Sequence, residues 1–289
     1  MIILENGILT AEISETGAQL SRLADSTTEY LWDADPEVWA RHAPILFPFV
    51  ARLPEQQYMY RGKMYGPLKN HGIAPYAQFT VENRDASSCT LLMEVTDEIR
   101  SLYPFDFEFR VRYRLDGHTL NISYLVTNRG DCDMFYAIGS HPGFNVPIAE
   151  GLEFEDYCVE FPEAKDVMRR LFTADKFVSD DDVPYPLEDN RIALRHDLFD
   201  DDAICMKNTG HTAVIRSDKD SRSITVRYPD TPWCAIWHIP GRKANYVCIE
   251  PWFSLPGKPG INDIEKRDDF QRLSGGKKAE YMLSITIGN

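Results

Sequence analysis

The chain has 289 residues, and 31 Lys+Arg against 45 Asp+Glu give it a formal net charge of −14. That length supports a sizeable core as one large all-β domain or two smaller ones, and an acidic surface excludes the overall electrostatic footprint of a nucleic-acid binder. With 43% hydrophobic and 26% charged residues the composition is globular, and no apolar run approaches the ~18 residues of a membrane-spanning helix.

The N-terminus, Met1 to Gly7, lacks the basic start and small-residue cleavage site of a secretory signal, so a cytoplasmic protein without membrane attachment is expected. In Ile2–Ala11, Asn6-Gly7 separates two apolar runs, and both residues tolerate the positive φ of a tight hairpin turn. Pro36–His42 reads as a short helix. Further strands are expected at Gln78–Glu82 and Thr90–Val95. The clearest pattern follows: Phe105, Phe107, Phe109, Val111, Tyr113 and Leu115 alternate with polar residues. After Asp116-Gly117 the alternation resumes at Leu120, Ile122, Tyr124 and Val126. Two long antiparallel strands, each burying one face, account for this and require a second layer above them.

Later strands are expected at Ala213–Arg216, Arg222–Tyr228, Tyr246–Glu250 and Tyr281–Ile287, and a second short helix at Asp263–Arg272. The acidic stretches Ser179–Val183 and Asp197–Asp202 read as solvated loops. No βαβ alternation, Ser/Gly-rich linker or shift in composition divides the chain. The expected architecture is one domain over residues 1–289, an all-β, large antiparallel β-sandwich with few short helices.

The six cysteines contain no Cys-x-x-Cys pair, which argues for reduced, mostly buried thiols rather than a zinc ribbon or redox centre. No Gly-x-Gly-x-x-Gly follows a strand, and no phosphate-binding Gly-x-x-x-x-Gly-Lys or His-Glu-x-x-His occurs. Ser140 lacks the Gly-x-Ser-x-Gly spacing of a hydrolase elbow.

Several polar residues stand in unusual surroundings. Arg52 is embedded in the otherwise apolar segment Leu46-Phe47-Pro48-Phe49-Val50-Ala51-Arg52-Leu53, where a guanidinium must find acceptors, either in a structural ion pair or in a ligand. His71 precedes Gly72, and alone reads as a structural hydrogen-bonding residue. His141 lies where a strand ends, between Ile138-Gly139-Ser140 and Pro142-Gly143-Phe144-Asn145, the placement by which a rigid sheet presents an active residue. Glu250 ends an apolar strand before Pro251, which is expected to halt pairing; partial desolvation there would raise its pKa, although a protective edge charge is the plainer reading. Trp233 and Trp237 share one face of a strand and suit either a core or the apolar face of a sugar.

Taken in order, Pro44-Ile45-Leu46-Phe47-Pro48 through Arg52, Asn70-His71-Gly72, Gly139-Ser140-His141-Pro142-Gly143-Phe144-Asn145, Asp202-Ala203-Ile204 and Cys248-Ile249-Glu250-Pro251-Trp252 resemble the aldose 1-epimerase (galactose mutarotase-like) family, in particular its LacX-like branch. The resemblance implies a β-sandwich with a sugar site on a concave face and a cofactor-independent isomerase acting on an aldose, with no metal. It implies that His141 and Glu250 are catalytic and that Arg52, His71 and Asp202 bind sugar, Asp202 having Asp200 and Asp201 as neighbours. Trp237 is the candidate apolar platform. The chain departs from the family at Pro75, where an arginine is common, and after Trp252, where the usual Gly and Asp spacing is missing. Alternatives are a hexose 6-phosphate substrate, with Lys69 and Arg61 as candidate cations, and a sugar-binding protein without turnover. Monomer and homodimer are both open.

Overall fold

The computed structural model describes residues 1–260 and 263–288. Two antiparallel sheets dominate. The nine-stranded sheet runs Arg191–Ala193, Tyr157–Glu160, Thr212–Ser217, Asp220–Arg227, Lys278–Gly288, Thr119–Asn128, Phe107–Asp116, Ser88–Met93, Phe79–Arg84. The second runs Val178–Pro184, Met168–Phe172, Ile204–Lys207, Trp233–Trp237, Tyr246–Trp252, Gly139–Ser140, Ile45–Leu46, with Gly143–Asn145 also on Tyr246–Trp252. The N-terminal hairpin forms, although of Asn6-Gly7 only Gly7 takes a positive φ, +82°, while Asn6 Oδ1 accepts from Ile8 N–H and Leu9 N–H. The hairpin's second strand pairs with Leu20–Ala24. Among the described residues no helix is long and apolar enough to cross a membrane.

Strand alternation builds the sandwich. In Phe107–Asp116 every second residue is buried, and register sets Tyr113 opposite Ile122 and Val111 opposite Tyr124. This face meets the second sheet through Phe47 stacked on Phe109 at 4.4 Å and through Tyr124, whose hydroxyl donates to Ser140 Oγ at 3.1 Å. Tyr246–Trp252 is buried throughout. Val247 and Ile249 join the intersheet core, so by alternation Cys248 and Glu250 face away from it. Burying each of the two aliphatic side chains contributes about 1.5–3 kcal/mol, which helps to hold a carboxyl in place on the opposite face.

Four local expectations fail for identifiable reasons. Pro36–His42 makes only a turn, closed by Trp39 N–H donating to Asp35 O, and Trp39 leaves it to stack on other rings. Asp263–Arg272 holds one 3-10 turn, Ile264–Lys266, before Gln271–Leu273 pairs as a strand with Met134–Tyr136. The acidic Ser179–Val183 stretch lies within a strand, because Asp182 is neutralised by Arg170 and Lys207. Pro251 does not halt its strand: it stays in register opposite Cys234, and Trp252 pairs beyond it. The α-helix Asp97–Leu102 was not anticipated, although Thr96 caps it by accepting from Ile99 N–H and the Thr-Asp-Glu start is an ordinary helix signal.

Candidate active site

The outward face of Trp233–Trp237 and Tyr246–Trp252 floors a cavity of about 290 Å³, near the lower end of small-molecule sites. Arg52, His71, His141, Asp202, Trp237 and Glu250 all line it. These residues come from six separated stretches, and register explains part of the convergence: Trp237 pairs opposite Cys248, and the small Ala235 opposite Glu250. A wider cleft of about 680 Å³ near the N-terminal sheet has its arginine, Arg22, already paired with Glu12 and Glu29.

At the centre, His141 Nε2 lies 3.3 Å from Glu250 Oε2, with His141 6% and Glu250 2% exposed. His141 occupies the crossing between Gly139–Ser140 and Gly143–Asn145, both paired to the strand that carries Glu250. Its ring stacks on Trp39 at 5.0 Å and meets Trp237 edge-on at 5.4 Å. Gly143 makes room for this, since a Cβ there would lie 2.8 Å from the Trp39 ring. Burial drives the pair's proton affinities in opposite directions. It raises the Glu250 pKa well above the usual carboxylate value, with Asp202 adding to the effect, and lowers that of His141 well below an ordinary imidazole, with His71 adding to it. The Trp252 indole, whose Nε1 is buried without a hydrogen-bond partner among the described residues, opposes the shift at Glu250.

The segment bearing Arg52 is clamped to His71. Ala51 N–H donates to His71 Nδ1 at 3.2 Å, and His71 N–H donates to Ala51 O at 2.8 Å. An accepting Nδ1 puts the neutral ring's proton on Nε2, where it can be given to a ligand. Burial, reinforced by the nearby Arg41 and Arg52 cations, pushes the His71 pKa down to about 3, so the ring is neutral at physiological pH. Gly72 enables this turn: its φ is +80°, and a Cβ there would fall 2.7 Å from Phe47 O.

On the opposite wall Asp202 accepts from Ala203 N–H, and of the three consecutive aspartates it alone lines the cavity. Lys176 stands beside it, donating to Asp201 O at 2.8 Å. Neither Lys69 nor Arg61 lines the cavity; Lys69 sits over the Tyr76 ring and Arg61 over Tyr60. Sequence reasoning missed Trp39, Trp252 and Lys176. Trp252 carries a usable signal, two residues after Glu250 on one strand face, whereas Trp39 and Lys176 reach the site only through tertiary folding. Among the described residues one trio of potential metal ligands comes together, His141, Cys248 and Glu250, all buried.

The family model described as aldose 1-epimerase matches residues 1–257. The chain is similar to the chromosomal LacX protein of Lactococcus lactis subsp. lactis, 33% identical over 263 residues and covering 88% of each chain; the plasmid LacX protein matches with the same figures. Among solved structures, a galactose mutarotase related enzyme from Lactobacillus acidophilus superposes with a TM-score of 0.93 at 36% identity, covering 100% of this chain and 97% of that one. A galactose mutarotase-like protein from Lactobacillus casei gives 0.92 at 31% identity, covering 99% of both.

Proposed function

We propose, from the premise that this chain belongs to the aldose 1-epimerase family, that it interconverts the α- and β-anomers of a free aldose without a cofactor, residues 1–289 acting as one unit. The chain is a carbohydrate isomerase; the choice of sugar and the mechanism are our reading. The observation that carries it is the 3.3 Å contact between His141 and Glu250 at the floor of the cavity.

Anomer exchange requires the C1 hydroxyl to lose a proton while the ring oxygen gains one, which opens the hemiacetal. Rotation about C1–C2 and the reverse transfers close it on the other face. Glu250 takes the C1 proton and His141 protonates the ring oxygen, and the two exchange roles on closure. Their opposed pKa shifts leave one mobile proton in the free pair, resting on Glu250 beside a neutral imidazole. For Glu250 to act as base, that proton crosses to His141. The Trp252 N–H beside the carboxylate and the Trp39 face on the imidazolium both favour the ionised form. Arg52, the His71 Nε2–H and Asp202 hold sugar hydroxyls, and Trp237 offers its face to the C–H surface of the ring.

A second reading, in which the sugar carries a phosphate, is favoured by one observation. Arg52 and Lys176 both line the cavity, and neither forms a carboxylate ion pair among the described residues. NMR magnetisation transfer across a panel of free hexoses, pentoses and their phosphates tests both. Acceleration of a free aldose, unaffected by inorganic phosphate, supports the first reading; acceleration of phosphorylated sugars alone, with competition by phosphate, replaces it with the second. Sugar binding without exchange on any substrate would contradict both.

A further inference from the structure

The strand Tyr246–Trp252 places Cys248 two residues before Glu250 on the same face, and the crossing after Gly139–Ser140 brings His141 against both. One ring nitrogen of His141, Cys248 Sγ and one Glu250 oxygen lie within 4.8 Å of one another. Taking Nε2 and Oε2, 3.3 Å apart, as two of these atoms, a point equidistant from all three lies at most about 2.6 Å from each in their plane, so metal binding needs the side chains to close in by about 0.3 Å at sulfur and about 0.5 Å at nitrogen and oxygen. The donors are an imidazole, a thiol and a carboxyl, the mixed set that suits a borderline-soft divalent cation rather than calcium or magnesium. His141 Nδ1 is buried with no hydrogen-bond partner among the described residues, so the ring is not committed through that atom to another group. His141 and Glu250 also line the cavity, which leaves a fourth position open to water.

We infer that His141, Cys248 and Glu250 form a three-ligand site for Zn²⁺ that overlaps the proposed acid/base pair, so that zinc blocks the site reversibly. On binding, Zn–S, Zn–N and Zn–O bonds form, and the thiol proton, with any proton on Glu250, passes to solvent. Both members of the proton-transferring pair are then tied to the metal, so zinc and sugar compete. Cys248 has no place in the sugar chemistry; its contribution is to turn a two-ligand contact into a chelating site.

The test uses the full chain, stripped with chelator and dialysed against zinc chloride alone, with Co²⁺ as a spectroscopic substitute. One zinc per chain, a thiolate-to-cobalt charge-transfer band, and at least tenfold weaker zinc binding in Cys248→Ala are expected. Only the inhibition arm rests on the proposed function: zinc should suppress anomer exchange in the wild type, while Cys248→Ala, active within about threefold in metal-free buffer, should resist it at least tenfold better. A wild type that retains no zinc, a cobalt complex without the thiolate band, or equal zinc binding by a folded Cys248→Ala overturns the site. If that variant does not fold, the cobalt band of the wild type decides. Zinc binding with no anomer exchange under any condition would leave the metal site standing and remove the catalytic reading instead.

Discussion

His141 and Glu250 face each other across 3.3 Å from adjoining stretches of one sheet, each nearly sealed from solvent. Desolvation acts on them with opposite sign, making one carboxyl reluctant to ionise and one imidazole reluctant to protonate. The coupled pair therefore holds one proton over a wide pH range.

That coupling predicts a bell-shaped dependence of kcat/KM on pH. The alkaline limb marks loss of the shared proton and falls well above the ordinary carboxylate value, because the Glu250 pKa is raised. The acid limb marks addition of a second proton and falls well below 6.5, because the His141 pKa is lowered. A profile that rises near pH 4.5 and then stays flat into the alkaline range would show an ordinary, uncoupled carboxylate.

The same shift affects stability. The native Glu250 pKa lies above its unfolded value, so the native state binds more protons between the two. Wild-type stability should fall, relative to Glu250→Gln, as pH rises from about 4.5 through the native pKa, with a slope of at most about 1.4 kcal/mol per pH unit. Urea unfolding of both proteins at several pH values measures this; a constant difference contradicts it.

Trp39 should matter to turnover more than to binding. Its stack on His141 favours the imidazolium by about 0.5–2 kcal/mol, so Trp39→Ala should lower kcat by roughly tenfold while Trp39→Phe keeps most of the activity. Equal loss in both variants would point to a need for the indole itself.

Gly72→Ala should cost about 1–3 kcal/mol in stability, because alanine is strained at φ +80° and its Cβ would fall 2.7 Å from Phe47 O. By displacing His71 it should also raise KM. Thermal melts and saturation kinetics on the variant read the two effects separately.

Much of this molecule was legible before folding. Phe107–Asp116 and Thr119–Asn128 announce themselves because each buries only one face, so burial leaves a period of two in the sequence. Tyr246–Trp252 is buried on both faces and carries no such period, which is why Glu250 read as a residue at a strand end rather than in mid-strand. Ser179–Val183 reads as a loop because Asp182 finds its cations, Arg170 and Lys207, on other strands, a fact with no local trace. Of the six candidate residues, five were picked out by short motifs and Trp237 by its strand face, and all six line one cavity. Trp39 and Lys176 have no motif and join them only through the fold. Cys248, two residues from Glu250, acquires its significance only when His141 arrives from a hundred residues away.

The central claim is that Glu250 and His141 move protons on a sugar, and magnetisation-transfer NMR on wild type beside Glu250→Gln tests it most directly. The account predicts that wild type accelerates anomer exchange of at least one aldose above buffer and that Glu250→Gln, folded and still binding sugar, loses about 10²–10⁴ of that rate. A Glu250→Gln protein as active as wild type would contradict it.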